Sequence, residues 1–270
     1  MRPGTPRLSG DGLTLAYDKR TIARQLDVTV PDRSFTVVIG PNACGKSTLL
    51  RALARMLKPT AGTVLLDGRD IHAQPARKVA RTLGLLPQTS TAPDGITVAE
   101  LVARGRYPHQ GLLRQWSRDD ERIVDDSMAA TGVADLADRL VDELSGGQRQ
   151  RVWIAMALAQ QTELLLLDEP TTFLDIAHQI EVLDLCATLH EEQGRTLVAV
   201  LHDLNQAARY ASHLIAMRDG QVVAAGPPRE IVTADLVERV FGLPCRVIDD
   251  PETGSPLVVP AARRVPAPRP

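Results

Sequence analysis

The densest chemistry in the chain lies in Gly40-Pro41-Asn42-Ala43-Cys44-Gly45-Lys46-Ser47-Thr48. These residues fit the spacing G-x-x-x-x-G-K-[ST]. They sit between a β-branched run, Phe35-Thr36-Val37-Val38-Ile39, and an apolar segment with helical spacing, Leu49, Leu50, Leu53 and Met56. Strand, loop, helix is the context in which this pattern binds phosphate. Glycines let the backbone curl until its N–H groups converge on an anion. The helix start, near Ser47, points its positive end at the same place. Lys46 would reach the β- and γ-phosphates of a nucleotide, and Ser47 would ligate Mg2+. Lysine is scarce: of 31 basic residues only Lys19, Lys46, Lys58 and Lys78 are lysines. A compact point charge kept in an arginine-biased chain suits a phosphate ligand. Cys44 reads as an ordinary small residue of the loop, with a redox role as the alternative.

Two further segments carry chemistry. Leu164-Leu165-Leu166-Leu167-Asp168-Glu169-Pro170 puts two carboxylates at the end of an apolar strand. In open α/β sheets that end borders the ligand crevice. Asp168 can hold Mg2+, and Glu169 can polarise an attacking water as general base. Leu144-Ser145-Gly146-Gly147-Gln148 opens a helix, with a hydroxyl and two glycines at its N-terminus. That is a second anion-binding feature, although Ser-Gly-Gly taken alone reads first as a flexible cap.

The elements that must position these residues alternate in type. Leu13, Leu15 and Tyr17 alternate with polar or small neighbours, and Leu26, Val28 and Val30 repeat the pattern up to Pro31-Asp32. Thr63 to Leu66, Leu83 to Leu86, Leu164 to Leu167 and Leu197 to Leu201 read as strands, the last two following helices as in a buried parallel sheet. Between Thr97 and Leu144 strand runs vanish. Thr97 to Gly105 reads as a short helix, and a second starts near Ser117, with Asp119, Asp120 and Glu121 in its first turn. Leu214 to Ala225 reads as a hairpin turning at Asp219-Gly220. Residues 1–11 and 260–270, rich in Pro, Arg and Gly, read as loose ends.

Composition narrows the class. The chain has 270 residues, 44% hydrophobic and 24% charged, enough for one or two domains with a real core. A formal net charge of −2 gives no field that points to nucleic acid. Cys44, Cys186 and Cys245 stand far apart, so neither a disulfide framework nor a zinc site is indicated, in keeping with a reducing compartment. The longest apolar stretch, Val152 to Leu158, is far short of the ~18 residues of a membrane span. The start, Met1 to Gly12, lacks an apolar core of signal-peptide length.

Taken with their order along the chain, the motifs resemble those of the ATP-binding cassette (ABC) ATPases, whose LSGGQ signature stands intact at 144–148. The resemblance covers about residues 8–230. It implies an α/β fold of the P-loop NTPase class: a RecA-like core, an antiparallel β subdomain, and a helical subdomain inserted at about 90–158. Residues 231–270 would form a C-terminal extension with a loose tail. It also implies roles. Tyr17 matches the aromatic that stacks on adenine. Gln88 matches the glutamine that touches Mg2+ and senses the transporter partner. Asp175 matches the aspartate of the dimer-contact loop, although Thr172-Phe173-Leu174-Asp175 departs from the Ser-Ala-Leu-Asp of many members. His202 matches the switch histidine near the γ-phosphate. One cassette would supply residues 40–48, Asp168, Glu169 and His202, and a second copy Ser145 to Gln148, so that two cassettes enclose two Mg-ATP head to tail.

A narrower resemblance is carried by Arg104-Gly105-Arg106-Tyr107-Pro108-His109-Gln110-Gly111-Leu112-Leu113, with Trp116, and by Pro170 to Gln179. Both are similar to segments of bacterial ferric-siderophore import ATPases. ATPases of vitamin B12 and haem importers are related. The implied partners are a second cassette and membrane permease subunits, with an extracytoplasmic binding protein acting indirectly and no nucleic acid. The implied place is peripheral, at the cytoplasmic face of the cell membrane. Cassettes of DNA repair or translation are disfavoured, since the chain has no sustained heptads, no second Gly-Lys-Ser loop and no basic stripe. A non-hydrolysing regulatory module is disfavoured by Lys46 with Glu169.

Overall fold

Every residue of the central strands is buried, and successive side chains pack into apolar clusters on opposite faces of the sheet they form. A computed structural model describes residues 6–18, 20–88, 91–111 and 116–262. The chain opens with β1 (Leu8–Tyr17), β2 (Arg20–Val30), β3 (Phe35–Ile39) and α1 (Lys46–Leu53). β4 (Ala61–Leu66), β5 (Arg69–Asp70), α2 (Ala76–Thr82) and β6 (Leu83–Leu86) follow. Helices α3 (Val98–Ala103), α4 (Arg118–Ala130) and α5 (Gly146–Ala159) lead to β7 (Leu164–Asp168). Then come α6 (Ile176–Glu191), β8 (Thr196–Val200), α7 (Leu204–Tyr210), β9 (His213–Arg218) and β10 (Gln221–Gly226). The last elements are α8 (Pro228–Ile231), α9 (Ala234–Phe241), β11 (Cys245–Asp249) and β12 (Pro256–Pro260).

Six strands form one sheet in the order β10-β9-β3-β8-β7-β6, parallel except for the β9–β10 hairpin. Phe35, Val37, Ile39, Leu165 and Leu167 join an apolar cluster with α5 and α6. Their alternates Val38, Leu164, Leu166, Val198 and Val200 join a second cluster, with α1 and the antiparallel sheet β2-β1-β4-β5. Each of these side chains contributes about 1.5–3 kcal/mol by leaving water. This explains why the strands read as unbroken apolar runs.

Helices α3, α4 and α5 pack on one another. Thr97 and Ser117 each cap a helix through a reciprocal box, with Glu100 and Asp120 respectively. Arg106 accounts physically for part of the Arg104–Leu113 segment. Its Nε lies 2.8 Å from Asp120 Oδ1, and its Nη1 donates to the Ala159 carbonyl at 2.7 Å. Both partners of the ion pair are almost fully buried, at 3% and 1% exposure. Burial alone would push the Asp120 carboxyl up. Hydrogen bonds from Ser117 and Arg106 outweigh it and hold the group below the usual carboxylate range. Leu112 and Leu113 lie outside the described residues.

Three expectations need correction. The first strand begins at Leu8, not Leu13: Leu8 is fully buried and pairs with Val30 and Leu66, so residues 8–11 are not a loose end. Pro260 likewise ends a strand, with β12 paired to β11. Residues 1–5 and 263–270 of the presumed loose ends lie outside the described residues. Helix α1 stops at Leu53 and Met56 stands exposed, because Arg55 turns to a left-handed φ of +64°.

Candidate nucleotide site

Every expected catalytic segment leaves the carboxyl end of a parallel strand. Residues 40–48 follow β3, His202 follows β8, Asp168 ends β7 with Glu169 next, and Gln88 follows β6. Because β3, β8, β7 and β6 are consecutive in the sheet, the four loops share one edge. The register sets Val38 level with Val200, and Val200 level with Asp168. A cavity of about 490 Å3 lies there. Asn42, Ala43, Gly45, Lys46, Ser47, Thr48, Gln88, Glu169 and His202 line it, joined by Arg20 and Ile22 of β2.

The phosphate loop needs its glycines. A Cβ on Gly40 would meet the Met217 carbonyl oxygen at 2.2 Å. Gly45, at φ +106°, is the N-cap of α1, and no side chain caps that helix. Its first N–H groups therefore remain available to an anion. Lys46 is buried, and its Nζ donates to the carbonyls of Gly40 at 2.8 Å and Pro41 at 2.9 Å. The ammonium is thus held against the loop. Burial pushes the Cys44 thiol up, which keeps it from the thiolate form that redox chemistry requires.

The two carboxylates differ in their surroundings. Ser47 Oγ donates to Asp168 Oδ1 at 2.8 Å, while Asp168 Oδ2 is buried and accepts from none of the described residues. Burial pushes the Asp168 carboxyl up, although the Ser47 hydrogen bond opposes it. A buried carboxylate oxygen without a partner beside a serine hydroxyl is an oxygen pair that suits a hard divalent cation, so the residues fit Mg2+. Glu169 stands at a left-handed φ of +55°. Its Oε2 accepts from Gln88 Nε2 at 2.8 Å and from Thr172 Oγ1 at 3.2 Å, and its Oε1 lies 2.7 Å from His202 Nε2. Gln88, Glu169 and His202 are therefore one hydrogen-bonded group.

Other expected residues lie apart from the cavity. Tyr17 pairs in register with Arg20, which puts it at the rim, and its hydroxyl accepts from Arg51 at 3.3 Å. Ser145 and Gln148 cap α5 reciprocally, Gln148 N donating to Ser145 Oγ at 3.2 Å. Neither they nor Gly146 and Gly147 line the cavity of their own chain. They border the loop before α6 instead: positions on Gly146 and Gly147 would come within 3.7 Å of Phe173 Cβ and 3.4 Å of Leu174 Cδ2. Asp175 caps α6. The backbone amide and ring of His178 donate to it and hold its carboxyl below the usual range. Sequence reading passed over Arg20, Ile22, Thr172 and Gln150, whose Nε2 donates to the Pro170 carbonyl at 3.1 Å. Thr172 stands within a quoted segment but carries no assigned role there, and no motif marks Arg20, Ile22 or Gln150. Their positions follow from which strands and loops meet.

A parallel sheet with a glycine-lysine-serine loop at its carboxyl edge, opposed by paired carboxylates, defines a P-loop nucleotide-binding ATPase. The family profile described as ABC transporter matches residues 23–172. The chain is 59% identical over 267 residues to the ferric enterobactin transport ATP-binding protein of Escherichia coli (strain K12), covering 99% of this chain and 98% of that one. It is 42% identical over 256 residues to the cobalamin import ATP-binding protein of Halobacterium salinarum (strain ATCC 29341 / DSM 671 / R1), covering 95% and 64% of the two chains. An ABC transporter solved in an inward-facing conformation superposes with a TM-score of 0.81 at 29% identity, covering 96% of this chain and 99% of that one. A dimeric ATP-binding cassette solved in a post-hydrolysis state with ADP and Pi gives 0.73 at 26% identity, covering 82% and 98%. The chain belongs to the ABC transporter family, as an ATP-binding cassette with ATPase activity.

Proposed function

We propose that this chain hydrolyses ATP to energise the import of a ferric siderophore, working as a pair of cassettes beneath membrane permease subunits. The observation that carries the hydrolytic reading is the Gln88–Glu169–His202 group facing the phosphate loop across one cavity. Phosphates of ATP lie in the N–H groups of residues 42–48, with Lys46 as their cation. Ser47 and Asp168 hold Mg2+, with Gln88 beside them. When bound, the metal offsets charge on the transferring phosphoryl group. Glu169 orients the attacking water and takes its proton. His202 steadies the Glu169 carboxylate and faces the γ-phosphate. Tyr17 stacks on adenine from the rim.

Residues Ser145 to Gln148 complete the site of a second copy, a reading supported by their distance from the cavity of their own chain. Asp175 joins the two copies. Permease subunits dock beside Gln88 and α3, where exposed Tyr107 and Trp116 flank a surface cleft. No helix among the described residues is long and apolar enough to cross a membrane. The chain therefore reaches its place, peripheral at the cytoplasmic face, through those subunits, and meets the extracytoplasmic binding protein only indirectly.

Cargo is supported by relatedness: identity is 59% to a ferric enterobactin ATPase and 42% to a cobalamin ATPase. Haem or cobalamin is the alternative cargo. A strain lacking this chain, given labelled ferric siderophore, haem and cobalamin in parallel, tests the assignment. Ferric-siderophore uptake is expected to fall, and loss of cobalamin uptake alone would overturn it.

A further inference from the structure

The loop bearing His202 is held from behind by the C-terminal hairpin. Asn205 stands one turn after His202, at the start of α7. Its Nδ2 donates to the Val258 carbonyl at 3.2 Å, and its Oδ1 accepts from Val258 N at 2.8 Å, across 53 residues of sequence. The side-chain amide thus pairs with the edge of β12 as a neighbouring strand would. Val258 itself is buried in the larger apolar cluster, so the hairpin is anchored to the core.

The next residue carries the connection forward. Gln206 Nε2 donates to Gln179 Oε1 at 3.0 Å, and Gln179 Nε2 donates to the Leu174 carbonyl at 3.0 Å. Leu174 belongs to the loop whose Thr172 hydroxyl donates to Glu169. Glu169 returns to His202 at 2.7 Å. A closed ring of contacts therefore joins the switch histidine, the general base and the loop before α6. The hairpin fastens this ring at Asn205.

We infer that the hairpin Cys245–Pro260 is a brace for the catalytic histidine and that Asn205 is the positioning residue through which it acts. The inference rests on the reading of His202 as a member of the hydrolytic site. Neither Asn205 nor the hairpin lines the nucleotide cavity, so removing the contact disturbs placement and not nucleotide binding. Misplacement of a catalytic group by ~1 Å costs up to about a hundredfold in rate.

The test compares the full-length chain as wild type, Asn205→Ala, Asn205→Asp, His202→Ala and the Asn205→Ala/His202→Ala pair. Turnover, KM for ATP and melting temperature are measured for each. Asn205→Ala is expected to lower kcat about tenfold with KM within about twofold of wild type. Asn205→Asp keeps the acceptor for Val258 N–H and should recover part of that loss. The double variant should be no slower than His202→Ala, because both changes act on one group. Wild-type kcat in Asn205→Ala beside a slow His202→Ala would overturn the brace alone. So would a loss that adds fully to that of His202→Ala, or one that follows the folded fraction. Wild-type turnover in His202→Ala would overturn the His202 reading, and the brace with it.

Discussion

Glu169 concentrates the chemistry of the site in one side chain. Three donors from three separate segments fix its two oxygens, and its own backbone is held at a positive φ, a conformation costing of order 1–3 kcal/mol that surrounding structure must sustain. Glu169→Gln keeps the shape and removes the proposed base. It is expected to bind ATP as wild type does while turnover falls about a hundredfold or more, measured as nucleotide affinity beside saturated ATPase rate. Asp168 gives a prediction of opposite sign for stability. Burial raises its folded-state pKa above the ordinary 3.8, so the folded chain holds a proton in a range where the unfolded chain has released it. Stability therefore falls as pH rises through that range, and the ionised carboxylate costs stability at neutral pH. In nucleotide-free protein, Asp168→Asn should melt at a higher temperature than wild type at neutral pH. The difference should vanish where both states are protonated, below the ordinary value. A variant melting lower at neutral pH would contradict this account of the unpartnered Oδ2.

At the scale of elements, strands and caps were legible because their signals are local. The apolar runs of β3, β7 and β8, the Ser117 cap and the Asp219-Gly220 turn each stand within a few residues. What joins them is legible only through the family resemblance, not from the local signals. Gln88, Glu169 and His202 meet only because β6, β7 and β8 are neighbours, and strand order is a non-local property. Asn205 and Val258 meet across 53 residues with no motif to mark either. Tail composition misled in the other direction: Pro and Gly near both ends suggested looseness, yet Leu8 pairs with two strands. Arg106 belongs to this scale as well. The buried pair with Asp120 ties the segment after α3 to α4, and the Ala159 carbonyl brings in α5. Asp120→Ala leaves a buried guanidinium without its anion. It should destabilise the fold by about 3–5 kcal/mol in denaturant unfolding, whereas an exposed change such as Asp119→Ala should stay within about 0.5 kcal/mol.

At the scale of the whole molecule, the chain presents surfaces that a single copy leaves uncovered. Phe173, beside the Ser145–Gln148 helix start, and Ile176, three residues on, are large apolar side chains 76% and 78% exposed. Such exposure marks an interaction surface, here the one expected to meet a second cassette. Phe173→Ser should weaken ATP-dependent pairing about tenfold, read by light scattering against ATP concentration, while melting temperature stays near that of wild type. The central claim joins these scales: hydrolysis at Glu169 in paired cassettes drives entry of ferric siderophore. The most direct measurement is uptake of radioiron-labelled siderophore in a strain lacking the chain, complemented with wild type or with Glu169→Gln at equal expression. Wild type should restore uptake and Glu169→Gln should leave it at the level of the deletion. Equal restoration by both, or restoration by neither, would contradict the account.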